Sequence, residues 1–153
     1  MNPEDFLQLT QQMVENMAGM RDRAVFVGLP AEEVGGAVYR NGMTVLGIGA
    51  VHEYGNERTP QRSFLRVPFA KKRDEINDVI AEQFESVTLG RLDTDTGLGR
   101  VGAFCTNVSK GAFVSLGYGD WEPITSETAE RKGSTGTLID TSTLRSSISW
   151  VIR

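Results

Sequence analysis

The sequence predicts a mixed fold, several helices with a few short strands, built as one domain over residues 1–153. Three observations predict it. Apolar residues recur at helical spacing in three long segments, 3–20, 64–89 and 95–116. Short alternating runs lie towards either end, at 23–28 and 147–153. The length suits one continuous core, and neither a repeat nor a composition break marks a second unit.

Taken in order, Pro3 to Met20 reads as an amphipathic helix. Asn2 is placed to cap it, Pro3 suits its first turn, and Glu4 and Asp5 oppose the positive helix end. Phe6, Leu9, Met13, Met17 and Met20 form one stripe. It reads either as ordinary core or as an assembly arm, residues 1–22, docking on a neighbouring subunit. Arg23 to Gly28 alternates like a strand, and Leu29-Pro30 ends it. Ala31 to Gly36 reads as loop. Val38-Tyr39-Arg40 runs into Asn41-Gly42, a turn signal. Thr44 to Gly55 fits two descriptions, the second arm of a hairpin or a short helix capped by Thr44.

Asn56 to Arg66 reads as loop, and Phe64 to Leu89 as a single long helix with Ile76, Val79, Ile80, Phe84 and Val87 on its apolar face. Pro68 lies in its first turn or kinks it there. Arg66, Lys71, Lys72 and Arg73 precede Asp74, Glu75, Asp78, Glu82 and Glu85, an order that opposes the dipole of one helix. A further helix, capped by Asp95 or Thr96, runs to about Leu116 and buries Leu98, Val101, Cys105, Val108 and Ala112. Gly117 to Trp121 is a turn, Pro123 to Lys132 a short polar helix, Gly133 to Gly136 a loop, and Leu138 to Ser146 a helical turn. Ser147 to Arg153, with Ile148, Trp150 and Ile152 on one side, is the closing strand.

Composition narrows the function. No run of about 18 apolar residues suggests a membrane span, and the first residues lack the basic-then-apolar pattern of a secretory leader. A single cysteine, Cys105, precludes an internal disulfide. A net charge of −4 argues against a protein that coats nucleic acid. His52 is the only histidine, and Cys105 falls on a buried helical position, so a nucleophile beside a base is not expected. One His and one Cys make no zinc set. Asp93-Thr94-Asp95-Thr96-Gly97 lacks the later glutamate of a calcium loop and reads as a helix-capping turn. Gly97-Leu98-Gly99-Arg100-Val101-Gly102 lacks the Lys-Ser/Thr ending of a phosphate loop. The expectation is no catalytic residue, no metal and no cofactor. Arg58, Arg62, Arg66, Lys71, Lys72 and Arg73, with Phe64 and Phe69 interleaved, form a basic cluster. It reads either as a nucleic-acid backbone patch or as arginines that meet acidic groups of a neighbouring chain, and the net charge favours the second.

Two stretches together resemble the tail-completion and virion-morphogenesis proteins, small neck and tail components of tailed bacteriophages. The first is Val51-His52-Glu53-Tyr54-Gly55 with Thr59-Pro60-Gln61-Arg62-Ser63-Phe64-Leu65-Arg66, matching an aliphatic-x-Glu-aromatic-Gly motif ahead of Pro-x-Arg-x-Phe. The second is Trp121-Glu122-Pro123-Ile124 through Arg131-Lys132 to Leu138-Ile139-Asp140-Thr141-Ser142-Thr143-Leu144-Arg145-Ser146-Ser147-Ile148, with Ser142 where the family usually has glycine. The resemblance spans roughly Val25 to Arg153. It implies an α+β fold, a small antiparallel sheet packed against an N-terminal helix and two long helices, and favours the helical reading of 44–55. It also implies a non-enzymatic role at the head–tail junction or tail end, as a ring-type homo-oligomer. The partners would be the connector or adaptor, the tail terminator or the tail tube, with DNA passing nearby unbound. The location would be the virion, and the host cytoplasm during assembly. In that role Glu53 is expected to pair with Arg62 and clamp the loop. Phe64 would anchor the following helix, and Asp140 and Thr141 would cap the turn before Leu144. Arg58, Arg66 and Arg145 are candidates for contact with neighbours.

Overall fold

Asn2 caps the first helix: its side-chain oxygen accepts the Asp5 N–H at 2.8 Å, and α1 runs Pro3–Arg21. The computed structural model describes residues 1–39, 42–122 and 142–153. Over these the order is α1, β1 (Val25–Gly28), α2 (Ala31–Val34), α3 (Val45–Tyr54), α4 (Arg66–Lys71), α5 (Arg73–Thr88), α6 (Thr94–Ala112), α7 (Ser142–Ser146) and β2 (Ser149–Ile152).

β1 and β2 pair antiparallel, Val25 opposite Ile152 and Val27 opposite Trp150, so the two ends of the chain close one small sheet. A two-stranded ribbon is marginal alone; this one lies on α6. The Trp150 ring crosses α6 at Gly102, where a Cβ would stand 2.6 Å from the indole. Glycine is needed there for the close approach of helix and sheet. α5 packs along α6, with Val87 against Gly97. The result is an α+β fold, a small antiparallel sheet on long helices.

The core gathers around Phe64, Phe113, Trp121, Leu144 and Ile148, with Val34 and Val45 beneath. Phe113 stands between Phe64 and Trp121, with ring centroids 5.5 Å from each. It thereby joins the loop after α3 and the end of α6 to the turn that carries Trp121. Among the described residues no helix is long and apolar enough to cross a membrane.

Several predicted elements differ. Ala31–Val34 is a helical turn, not loop, because Val34 turns into the core at 5% exposure. The two readings of Thr44 meet: it bridges Val38 as a hairpin would, while its hydroxyl accepts the Gly47 N–H at 3.0 Å and starts α3. The predicted helix from Phe64 to Leu89 is two helices. α4 starts at Arg66, and the chain breaks at Lys72, φ −101° and ψ 20°. Pro68 lacks the N–H that would return to the Phe64 carbonyl, and Ser109 Oγ takes that oxygen instead, at 2.7 Å. The break also explains part of the charge order. Lys71 closes α4 while Asp74 and Glu75 open α5, so these three charges suit the helix ends they occupy, whereas Arg66 and Arg73 stand at helix starts.

Asp93, rather than Asp95 or Thr96, caps α6 by accepting the Thr96 N–H at 2.8 Å and its hydroxyl at 2.6 Å. α6 stops at Ala112, short of Leu116, where a run of left-handed residues (Leu116 φ 52°, Gly117 φ 66°, Tyr118 φ 55°) turns the chain. Leu98 and Val101 are half-buried rather than buried. Arg40, Asn41, the predicted polar helix and loop of 123–136, and the predicted caps Asp140 and Thr141 lie outside the described residues.

Candidate functional site

The site is the reversal between α3 and α4. α3 ends at Gly55, φ 73°, where a Cβ would meet the Gln61 nitrogen at 2.9 Å. Only glycine lets the chain turn back over its own helix here. Gly55→Ala is expected to cost about 1–3 kcal/mol in strain, read as a lower urea midpoint at unchanged m-value. The next residues form a tight turn. The Asn56 side-chain oxygen accepts the N–H groups of Arg58 at 2.9 Å and Thr59 at 2.7 Å, and Glu57 and Arg58 stand exposed at the tip. The returning strand is tied down in turn, Gln61 Nε2 to the Glu53 carbonyl at 3.0 Å and Arg62 N–H to the His52 carbonyl at 2.8 Å.

Glu53, on the last turn of α3, is 5% exposed and lies beneath this loop. Its Oε2 accepts the N–H groups of Phe64 at 2.9 Å and Leu65 at 3.0 Å. Its Oε1 accepts the Ser63 hydroxyl at 2.8 Å, the Arg66 N–H at 3.2 Å and Arg66 Nε at 2.9 Å. Leu65 precedes α4 and offers no side-chain cap, so the open N–H groups at its start are closed by a carboxylate from another helix. Ser63 adds to this by accepting the Val67 N–H at 3.0 Å. Burial works to raise the Glu53 carboxyl. The hydrogen bonds from Ser63, Arg66 and the backbone outweigh it, and hold the group below the ordinary glutamate value.

The carbonyls of the same loop are held from the other side. Trp121 Nε1 donates to the Ser63 carbonyl at 3.2 Å and Ser109 to that of Phe64. Phe64 itself is 1% exposed, between Phe113 and the α3 backbone at Gly49. Arg66 completes the clamp. Its Nη2 reaches the Glu53 carbonyl at 3.0 Å, and its guanidinium lies 4.4 Å from the centroid of the exposed Tyr54 ring.

The predicted Glu53–Arg62 pair is therefore replaced by Glu53–Arg66. Ser63, next in the chain, takes the side facing the carboxylate. Arg62 is half-buried, its Nε lacking a hydrogen-bond partner among the described residues, and Glu122 is its opposite charge. Burial lowers the Arg62 pKa and Glu122 opposes that. Arg145 stands exposed on α7, which reaches the site through Leu144 against Gly49, and makes no ion pair among the described residues. Ser63, Ser109, Gln61 and Trp121 hold the loop, yet as single polar or aromatic residues they carry no spacing signal. Only Ser63, three residues before Arg66 at the start of α4, hints at capping.

Half of the basic cluster is paired within the chain. Arg66 meets Glu53, Lys71 meets Asp120 and the Tyr118 carbonyl, and Lys72 meets Glu75. Arg58, Arg62 and Arg73 are left without an ion pair among the described residues, and Phe64 is too deep to stack on a base. Salt-sensitive binding to duplex DNA is thus expected to be absent in fluorescence anisotropy at low salt. A strong salt slope that Arg62→Ala with Lys72→Ala abolishes would contradict this. Cys105 is buried in α6, and burial pushes its thiol pKa up, which disfavours the nucleophilic thiolate. Comparisons of the chain with family models, with curated proteins and with solved structures return no match.

Proposed function

We propose that this chain is a structural virion protein of a tailed bacteriophage, completing the tail or joining it to the head through ring-type subunit contacts, without catalysis. The observation that supports this reading is the clamp. Glu53 and the backbone of residues 61–66 satisfy one another's polar groups, and Phe64 locks them to the core. The spacing of the two motif halves then has a physical cause: one supplies the buried acceptor and the turn glycine, the other the donors that run back over it. What faces outward is Tyr54, Arg58 and Arg66, with Arg145 on α7, residue types enriched where proteins meet. A rigid loop carrying such groups suits a contact that must be specific before assembly begins. The neighbours would be the connector or adaptor, the tail terminator or the tail tube, with DNA passing nearby unbound.

The test is negative-stain imaging of particles assembled without this protein. Filled heads and separate tails are the expected outcome; normal infectious virions would end the proposal.

A further inference from the structure

We propose that the N-terminal half of α1 is an arm that seats in the apolar groove of a second copy of this chain, head to tail. α1 buries no residue completely. Its apolar stripe rests on its own body from the middle onward, where Met13 and Met20 are half-buried and Asn16 Nδ2 donates to the Thr88 carbonyl at 3.3 Å. The same stripe overhangs at its start, with Phe6 60% and Leu9 45% exposed. An amphipathic helix gains most of its stability from packing that face.

The same chain offers a receptor. A groove of about 420 Å³ opens between β1, α4, α5 and α6, walled by Val25, Val27, Phe69, Ile80, Phe84 and Cys105. Met20, near the end of α1, also lines it. Phe6 lies 14 residues before Met20, about 21 Å away at helical rise, so while α1 stays one helix its own arm cannot enter.

Charge selects a second copy. Residues 1–20 carry Glu4, Asp5 and Glu15 and no Lys, Arg or His. On α5 the carboxylates Asp74, Glu75, Asp78, Glu82 and Glu85 fall about 120° or more round the helix from Ile80. Arg73 falls within about 20° of it and has no ion pair among the described residues. The groove face of α5 therefore presents a cation and no acid to an acidic arm. Arm and groove are different patches, so each contact leaves one of each for the next copy, a heterologous pattern that makes a ring where its rotation closes. This deepens the ring reading above, but needs only the fold.

The test is sedimentation velocity of the full-length chain over a micromolar-to-millimolar series. Wild type is expected to form concentration-dependent oligomers. Phe6→Asp with Leu9→Asp, in the arm, and Ile80→Asp with Phe84→Asp, in the groove, are each expected to stay monomeric with unchanged circular dichroism. Mixed together, the two variants are expected to give a heterodimer and nothing larger, since one retains a groove and the other an arm. A monomeric wild type, oligomers that survive the arm variant, or a mixture that stays monomeric would overturn the proposal. Should the groove variant fail to fold, Leu9→Cys in a Cys105→Ser background, carrying a photo-crosslinker, is expected to attach to β1 or α5 of another chain; attachment elsewhere would overturn it equally. Particle imaging fails or succeeds independently of these outcomes, so the two readings are separable.

Discussion

Glu53→Ala is expected to destabilise the fold by roughly 3–5 kcal/mol, since several buried donors lose their acceptor at about 1–3 kcal/mol each. The substitution strands the N–H groups of Phe64, Leu65 and Arg66, the Ser63 hydroxyl and Arg66 Nε together. Urea denaturation reads it as a lower midpoint. Glu53→Gln keeps one acceptor oxygen but turns an amide donor towards other donors, and about 1–3 kcal/mol is expected. The carboxyl also sets a pH dependence. Its folded pKa lies below the unfolded value, so its contribution is complete above about pH 4.3, the ordinary glutamate value, and is lost as pH falls through the folded pKa. A melting temperature that drops on acidification in wild type should therefore fall less steeply in Glu53→Gln.

Phe64→Ala is expected to cost about 3–5 kcal/mol, as for other buried aromatics. The ring is 1% exposed and fills the space between Phe113 and the Gly49 face of α3. Its removal leaves a cavity that α3 and α6 cannot close without moving the whole sheet-bearing helix. Because Glu53 and Phe64 hold the same loop, their effects should not add. The double variant is expected to lose less than the sum of the singles, and simple additivity would indicate two independent anchors instead.

Much of this was legible in the sequence where a local rule had no competitor. Asn2-Pro3 with two acids fixes the start of α1 through chemistry within one turn. The alternation ending at Arg153 marks β2, though not its partner, since pairing with Val25–Gly28 joins opposite ends of the chain. The α4–α5 break was less visible, because Lys72 is a good helix former and the apolar period runs through it. The signal is the reversal from Lys71 to Asp74 and Glu75, which suits one helix end followed by a helix start. The same holds at the clamp. The motif points to Glu53 and to an arginine, but Arg62 and Arg66 are equal candidates by type. What chooses Arg66 is the helix start that puts its N–H and Nε beside one oxygen, a tertiary fact. Whether the stripe of α1 is core or arm was undecidable from periodicity, which is the same for both.

The proposed role of the clamp is to present a contact surface. Its most direct measurement is complementation of particles lacking this protein with a chain carrying Tyr54→Ala, Arg58→Glu and Arg145→Glu, three exposed positions outside the core. The expected result is a chain with a near-native urea midpoint that leaves heads and tails unjoined. Full restoration of joined, infectious particles by that folded variant would contradict it.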